Sequence, residues 1–312
     1  MKVSYVLICL FLSLLSGTSQ GQEPLTSSSL EGRWDMVVDM AGKQSPGWLE
    51  VRHSGNHTLV GRVMFLFGSA RPIAKINYTN GTFDFSVPPQ WDKGDTDLQF
   101  KGTISAGSLT GTVTYVDNKV YTWTASKAPS LRRNKAPQWG SPLPLFNGKD
   151  SKSWHTTGPN QWVVEAGVLK SPKPGANLIT NQVFTDFKLH AEFRYPKGGN
   201  SGIYLRGRYE VQLTDSKGLE PLDDQFGGVY GLLAPNEMAA KAAGEWQSID
   251  ITLIGRRVTI VANGIPIIID QVIPGITGGA LDSREGEPGP IMLQGDHEAI
   301  EFRNISIIPV KQ

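Results

Sequence analysis

Apolar and polar side chains alternate in short runs over most of this chain, and the runs are joined by pairs such as Asn80-Gly81, Ala106-Gly107 and Asn263-Gly264. Together the pattern and its punctuation leave little choice of fold. A period of two sends successive side chains to opposite faces of a strand. Asn-Gly marks a tight hairpin because both central residues of a type I′ turn need positive φ. In the first half, such runs cover residues 33–38, 48–53, 58–63, 83–87, 98–104, 109–115 and 120–124. Their hairpin spacing predicts an antiparallel meander closed as a small barrel or sandwich. In the second half they cover 162–164, 168–170, 187–194, 248–254, 258–262, 265–270, 291–294 and 301–308. Two packed antiparallel sheets follow from these. Only residues 236–243, between Pro235 and Gly244, read as a short helix. The chain is thus all-β, with domains expected at 26–126 and 144–312. A Pro-rich, basic linker, 127–143, separates them.

Lys2 precedes an apolar run over 3–15, and Ser19 and Gly21 then fit a signal-peptidase site. Residues 1–21 read as a secretory signal peptide, which predicts an exported protein, periplasmic or extracellular. The single cysteine, Cys9, lies inside that run. No disulfide framework or thiolate chemistry is expected beyond it. Lys and Arg number 30 against 29 Asp and Glu. That balance gives no reason to expect nucleic acid as a partner. No later segment is apolar and long enough to be a membrane helix, so no membrane is expected as a partner of the mature form.

The stretch 199–215, GNSGIYLRGRYEVQLTD, is the most informative for function. Alternation puts Tyr204 and Arg206 on one face, and beyond Gly207 it puts Glu210 and Gln212 together. A phenol, a guanidinium, a carboxylate and an amide on one surface suit a polyhydroxylated ligand, since each makes directional hydrogen bonds. An ordinary half-buried sheet with a solvated polar face is the alternative.

Five ordered segments resemble the 3-keto-disaccharide hydrolase domain family: LFNGKDSKSW at 145–154, the stretch 192–215, GGVYGLLAP at 227–235, 244–264, and GPIMLQGDHEAIEFRNISIIP at 289–309. The resemblance covers the second domain only. It implies a concanavalin-like jelly-roll β-sandwich and an oligosaccharide or glycoside as partner. It further implies hydrolysis of 3-keto-glycosides by proton abstraction, β-elimination and hydration. That route needs a base and a clamp for an enediolate oxygen. It does not need the paired carboxylates of retaining glycosidases, and no Glu-x-Asp-x-x-Glu pattern is present.

The candidates are Glu210 as base and His297 as a second base or acid. Arg206 and Arg194 are the candidate clamps, with Tyr204, Gln212, Gln294 and Asp296 on ring hydroxyls. No cofactor is predicted. Calcium or another divalent ion stays open at Asp223-Asp224 and the acidic loop 282–287, where solvated charge is the competing reading. Two further functions compete with the enzyme: a carbohydrate-binding, lectin-like module, and an interaction domain of an extracellular assembly.

Overall fold

The computed structural model describes residues 27–66 and 68–311 of the 312. The signal segment expected at 1–21 lies outside them. Eight strands between Gly32 and Lys127 each pair with the next, and Val120–Lys127 closes onto Gly32–Met40. Of the two forms open from the sequence, the first domain is the barrel. Its hairpins fall where the turn residues placed them. Asn80-Gly81 joins Thr79 to Thr82 and Ala106-Gly107 joins Ser105 to Ser108, all four turn residues having positive φ. Trp34, Phe65, Phe85, Phe100 and Trp123 point inward and are buried, and Phe85 stacks on Phe100 at 4.8 Å. The barrel interior is therefore packed with side chains.

The second domain is a two-sheet sandwich. The smaller sheet runs, in spatial order, Trp154–Thr156, Leu178–Phe184, Gly289–Leu293, Asn200–Leu205 and Tyr209–Thr214. The larger runs Val163–Glu165, Val168–Ser171, Ile300–Pro309, Phe187–Arg194, Gln247–Ile254, Arg257–Ala262 and Ile265–Val272, with Leu143–Pro144 beside Ile300–Pro309. The expected helix at 236–243 does not form. Its backbone groups find tertiary partners instead: Asn236 N donates to Ile267 O at 2.7 Å, Lys241 N to Gln247 Oε1 at 2.9 Å, and Asn263 Nδ2 to Ala239 O at 2.8 Å. Short helices are marginal, so a few such bonds decide against one.

Residues 127–143 are strapped to the sandwich rather than solvated. Arg133 pairs with the buried Asp186 at 2.6 Å, Trp139 bridges to Val310, and the Lys188 ammonium stands 4.9 Å over the Trp139 ring. The barrel docks directly on the segment 273–287. Trp48 donates its indole N–H to Ile276 O at 2.8 Å and lies flat against Gly275, where a Cβ would come within 2.2 Å of the ring.

Glu285 is fully buried beside that contact. It accepts from Arg33 of the barrel at 3.0 Å, from Arg256 of the sandwich at 2.8 and 3.0 Å, and from the Tyr209 hydroxyl at 2.6 Å. Burial works to raise its pKa, but the Arg256 bonds and the Arg33 charge outweigh it and hold the carboxyl below its usual range. Asp35 stands alongside. Burial and the Glu285 charge push its carboxyl up to about 7.

Candidate active site

In the paired strands Asn200–Leu205 and Tyr209–Thr214, Tyr204 lies opposite Glu210, Gly202 opposite Gln212, and Asn200 opposite Thr214. Ile203, Leu205, Val211 and Leu213 enter the core between the sheets. The alternate residues are thereby delivered to the outer face of the smaller sheet. The neighbouring strand Gly289–Leu293 runs on into Gln294, Asp296 and His297, and Gln294 N donates to Gly202 O at 2.9 Å. On the other side a loop is zipped along Tyr209–Thr214: Gly227 N donates to Gln212 O at 2.8 Å and Tyr230 N to Glu210 O at 3.0 Å. These elements enclose a pocket of about 650 Å³, which Gly68 and Trp91 of the barrel complete. The pocket therefore sits at the junction of the two domains.

Glu210 forms its floor. The residue is 5% exposed, and burial raises its carboxyl to about 7, against the opposing pull of a Tyr204 hydrogen bond and the His297 charge. The Tyr204 hydroxyl lies 2.8 Å from Glu210 Oε2 and 3.0 Å from Gly278 O. One proton serves two acceptors. When Glu210 is ionised, the hydroxyl donates to it. When Glu210 is protonated, it donates to Tyr204, which donates to Gly278. The carboxyl thus has a partner in both states, as a group that must gain and lose a proton requires.

Gly202 makes this arrangement possible. A Cβ there would lie 2.7 Å from Glu210 Oε1 and 2.9 Å from its Cγ. In Gly202→Ala the carboxyl must move, while the strand backbone accepts alanine. Misplacement on the ångström scale is expected to lower kcat/KM by about 10²-fold. Steady-state kinetics beside an unchanged circular-dichroism spectrum would check this.

Two buried amides face the pocket. Gln212 Nε2 donates to Asn200 Oδ1 at 3.0 Å, and the Gln294 amide stands beside Glu210, where it works to lower the carboxyl's pKa. Both side-chain oxygens are buried and accept no hydrogen bond from the protein. Such acceptors call for a donor, which a ligand hydroxyl supplies. His297 stands at the rim with Nδ1 2.8 Å from Asp296 Oδ1. That hydrogen bond is the largest influence raising its pKa, with the Glu210 charge adding to it, so the imidazolium form is favoured.

Of the residues expected at a ligand surface, Glu210, Tyr204, Gln212, Gln294, Asp296 and His297 are brought together here. The two arginines are not. Arg206 and Gly207 take φ of +54° and +66° in the hairpin turn, which breaks the alternation. Arg206 swings to the opposite side of the sheet, where its guanidinium is buried and donates to Tyr209 Oη, Gly255 O and Glu285 O. Arg194 belongs to the larger sheet, pairs with Glu301 and stacks on Trp246 at 4.8 Å. Among the described residues no lysine or arginine lines the pocket, so its cationic member is His297.

The acidic loop is solvated only in part: Glu287 is exposed beside Arg284, but Glu285 is engaged as above and Asp282 pairs with Arg208 at 2.8 Å. Among the described residues no three His, Cys, Asp or Glu side chains gather as a metal site. Sequence reading missed Tyr230, and left Trp91 among four tryptophans, with Trp34, Trp48 and Trp123, that could stack on sugars but mostly read as core. The signal for Trp91 was an aromatic residue inside a Pro-, Asp- and Gly-rich loop, PPQWDKGD at 88–95. That for Tyr230 was its place within GGVYGLLAP.

A polar pocket of this kind on the outer face of a β-sandwich sheet suits a hydroxylated ligand such as a sugar, and the family match puts the chain among carbohydrate-active proteins. The chain belongs to the 3-keto-alpha-glucoside-1,2-lyase-like domain family, whose model matches residues 141–308. It is 32% identical over 96 residues to a 3-keto-disaccharide hydrolase of Bacteroides thetaiotaomicron, a match over 26% of this chain and 33% of the relative. The chain thus spans about a third of the length of that curated relative. It is also similar to a crystallised Parabacteroides distasonis ATCC 8503 protein provisionally assigned as a glycosyl hydrolase. The identity is 30%, the TM-score 0.46, and the match covers 56% of this chain and 92% of that one. A second such protein from the same strain is 25% identical at a TM-score of 0.44, with 54% and 98% covered.

Proposed function

We propose that the protein cleaves glycosides whose sugar carries a ketone at carbon 3. The observation that supports this most is Glu210, a buried carboxyl with a pKa near neutrality on the floor of a sugar-sized pocket, with an imidazolium at the rim. Glu210 removes the proton from carbon 2, which the neighbouring ketone acidifies. The electron pair moves into an enediolate. The bond from carbon 1 to the glycosidic oxygen then breaks, and that oxygen leaves with a proton. Water adds back, oxygen to carbon 1 and hydrogen to carbon 2, for a net hydrolysis. With the arginines elsewhere, the charge on the enediolate oxygen falls to His297, which Asp296 holds protonated. The free oxygens of Gln212 and Gln294 accept from ring hydroxyls. The amino-terminal apolar segment supports export, so the reaction takes place outside the cytoplasm.

Incubation with a 3-keto-glucoside bearing a chromogenic aglycone, beside the unoxidised glucoside, tests the reading. Release from the keto-sugar alone is expected. Release from the unoxidised glucoside would point to a conventional glycosidase, and saturable binding without release to a lectin-like module.

The pH profile follows from the productive state, Glu210 ionised and His297 protonated. Below about 7 Glu210 holds its proton and the rate falls about tenfold per pH unit. On the alkaline side the rate falls as His297 loses the proton that Asp296 helps it keep. A bell in kcat/KM is expected, and His297→Asn should remove its alkaline limb. An alkaline limb unchanged in that variant would take His297 out of the mechanism.

A further inference from the structure

The barrel lies outside the family match, yet it supplies one wall of the pocket. We propose that Trp91 is a stacking platform for the ring of the leaving group, so that the barrel sets which aglycones are accepted. This rests on the reaction assigned above. Three observations carry it.

The first is how the loop is built. Trp91 is flanked by two anchored residues. Gln90 accepts from Ser69 N at 2.9 Å and donates to Ser69 Oγ at 2.6 Å. Asp92 accepts from Gln90 N at 3.3 Å, lies 3.4 Å from Arg71, and is bonded by the Tyr115 hydroxyl. Gly68 packs beneath with φ +82°; a Cβ there would come within 2.2 Å of Gln90 Oε1 and 3.0 Å of Trp91 Cδ1. The tryptophan between these anchors is left 65% exposed at the pocket. A ring of that size held out over a polar cavity offers an apolar face for a ligand.

The second is that the sandwich meets the loop. A Cβ at Gly231 would lie 2.2 Å from Ser69 Cβ, and the Trp91 side chain faces the Tyr230 hydroxyl across the pocket, where it works to lower the phenol's pKa. Tyr230 is itself tied by its backbone to Glu210. Trp91 is thereby placed relative to the base and not only to the barrel.

The third is the polarity of the pocket along the strands. Asn200, Gln212, Gln294 and His297 cluster at one end. Tyr204, Gly278, Gly279, Tyr230 and Trp91 form the other, with Gly279 N donating to Leu66 O of the barrel at 3.4 Å. From Asn200 to Tyr204 is ~13 Å at about 3.3 Å per residue, long enough for two sugar rings. The carbon-2 proton must meet Glu210, which lies opposite Tyr204. The ketone side of the oxidised sugar then takes the polar end with His297, and carbon 1 with its leaving group faces Trp91.

The test compares two leaving groups, a second pyranose and a methyl group, on the same 3-keto-glucose. Trp91→Ala is expected to lower the ratio of kcat/KM values, disaccharide over methyl glycoside, by about tenfold, and Trp91→Phe to recover most of it. Titrating both sugars calorimetrically into Glu210→Gln, with and without Trp91→Ala, should shift the ratio of affinities the same way, and this readout needs no turnover. Unchanged ratios in both assays would overturn the platform. An inactive wild type whose affinity ratio still depends on Trp91 would sink the elimination reaction and keep the platform.

Discussion

Glu210→Gln is expected to lower turnover by about 10²–10⁴-fold, the range a general base contributes, while raising stability at alkaline pH. The opposite signs come from one cause. Burial lifts the Glu210 carboxyl from an ordinary 4.5 to about 7. Between those values the unfolded chain has given up a proton that the folded chain retains. Native stability therefore falls as pH rises through that window, and the loss is complete above about 7. Glutamine keeps the shape and a hydrogen bond to Tyr204 and carries no charge to desolvate. At pH 8 the variant should gain up to roughly 3 kcal/mol over the parent, and at pH 4 close to nothing. Thermal melts at the two pH values, beside kinetics on the keto-sugar, check both halves. A purely structural carboxylate would show the reverse, lower stability with activity retained. Destabilising groups kept at a site for their chemistry give the pattern expected here.

The strand that carries Glu210 was legible because its alternation is clean. Tyr209, Val211 and Leu213 demanded a core, so Glu210 and Gln212 had to face the other way. The same rule failed two residues beyond Tyr204. Arg206 continues the pattern by number, but the hairpin begins there, and a left-handed residue does not carry a strand's facing forward. Arg194 was misplaced for another reason. Its own strand alternates as expected, but nothing in a single strand says which of two sheets will take it. Trp91 could be singled out only as one of four tryptophans able to stack on sugars, and its place at this pocket was beyond sequence reading. Its role depends on the barrel's docking against residues some two hundred positions away, and no local period encodes that contact. Gly202 is an intermediate case: a glycine in a strand signals a close approach, but only the register reveals that the approaching group is the Glu210 carboxyl.

Glu285 is where that docking can be broken. In Glu285→Ala the guanidiniums of Arg33 and Arg256 stay in the seam without the carboxylate that received them, and the Tyr209 hydroxyl loses its acceptor. Removing one member of a buried charged cluster costs about 3–5 kcal/mol, more than most surface pairs contribute in total. Asp35 replaces only part of the lost charge: without Glu285 beside it the carboxyl ionises more readily, but burial still opposes its charge. The loss should appear at two levels. Thermal unfolding should begin at a lower temperature, with the barrel released first and the 127–143 strap opened to protease. Turnover of a disaccharide substrate should fall before the sandwich unfolds, since Trp91 departs with the barrel while Glu210 stays. Replacing all three charged residues together, by Arg33→Met, Glu285→Leu and Arg256→Met, removes the stranded charges along with their partner. That variant should regain most of the stability, as apolar substitutes for buried ion clusters commonly do. Recovery of stability with loss of aglycone selectivity would separate the two roles of the seam, holding the domains together and fixing how Trp91 stands over the pocket. An unaltered melting profile for Glu285→Ala would instead put the docking energy in the Trp48–Gly275 contact, where a bulkier residue at position 275 becomes the decisive substitution.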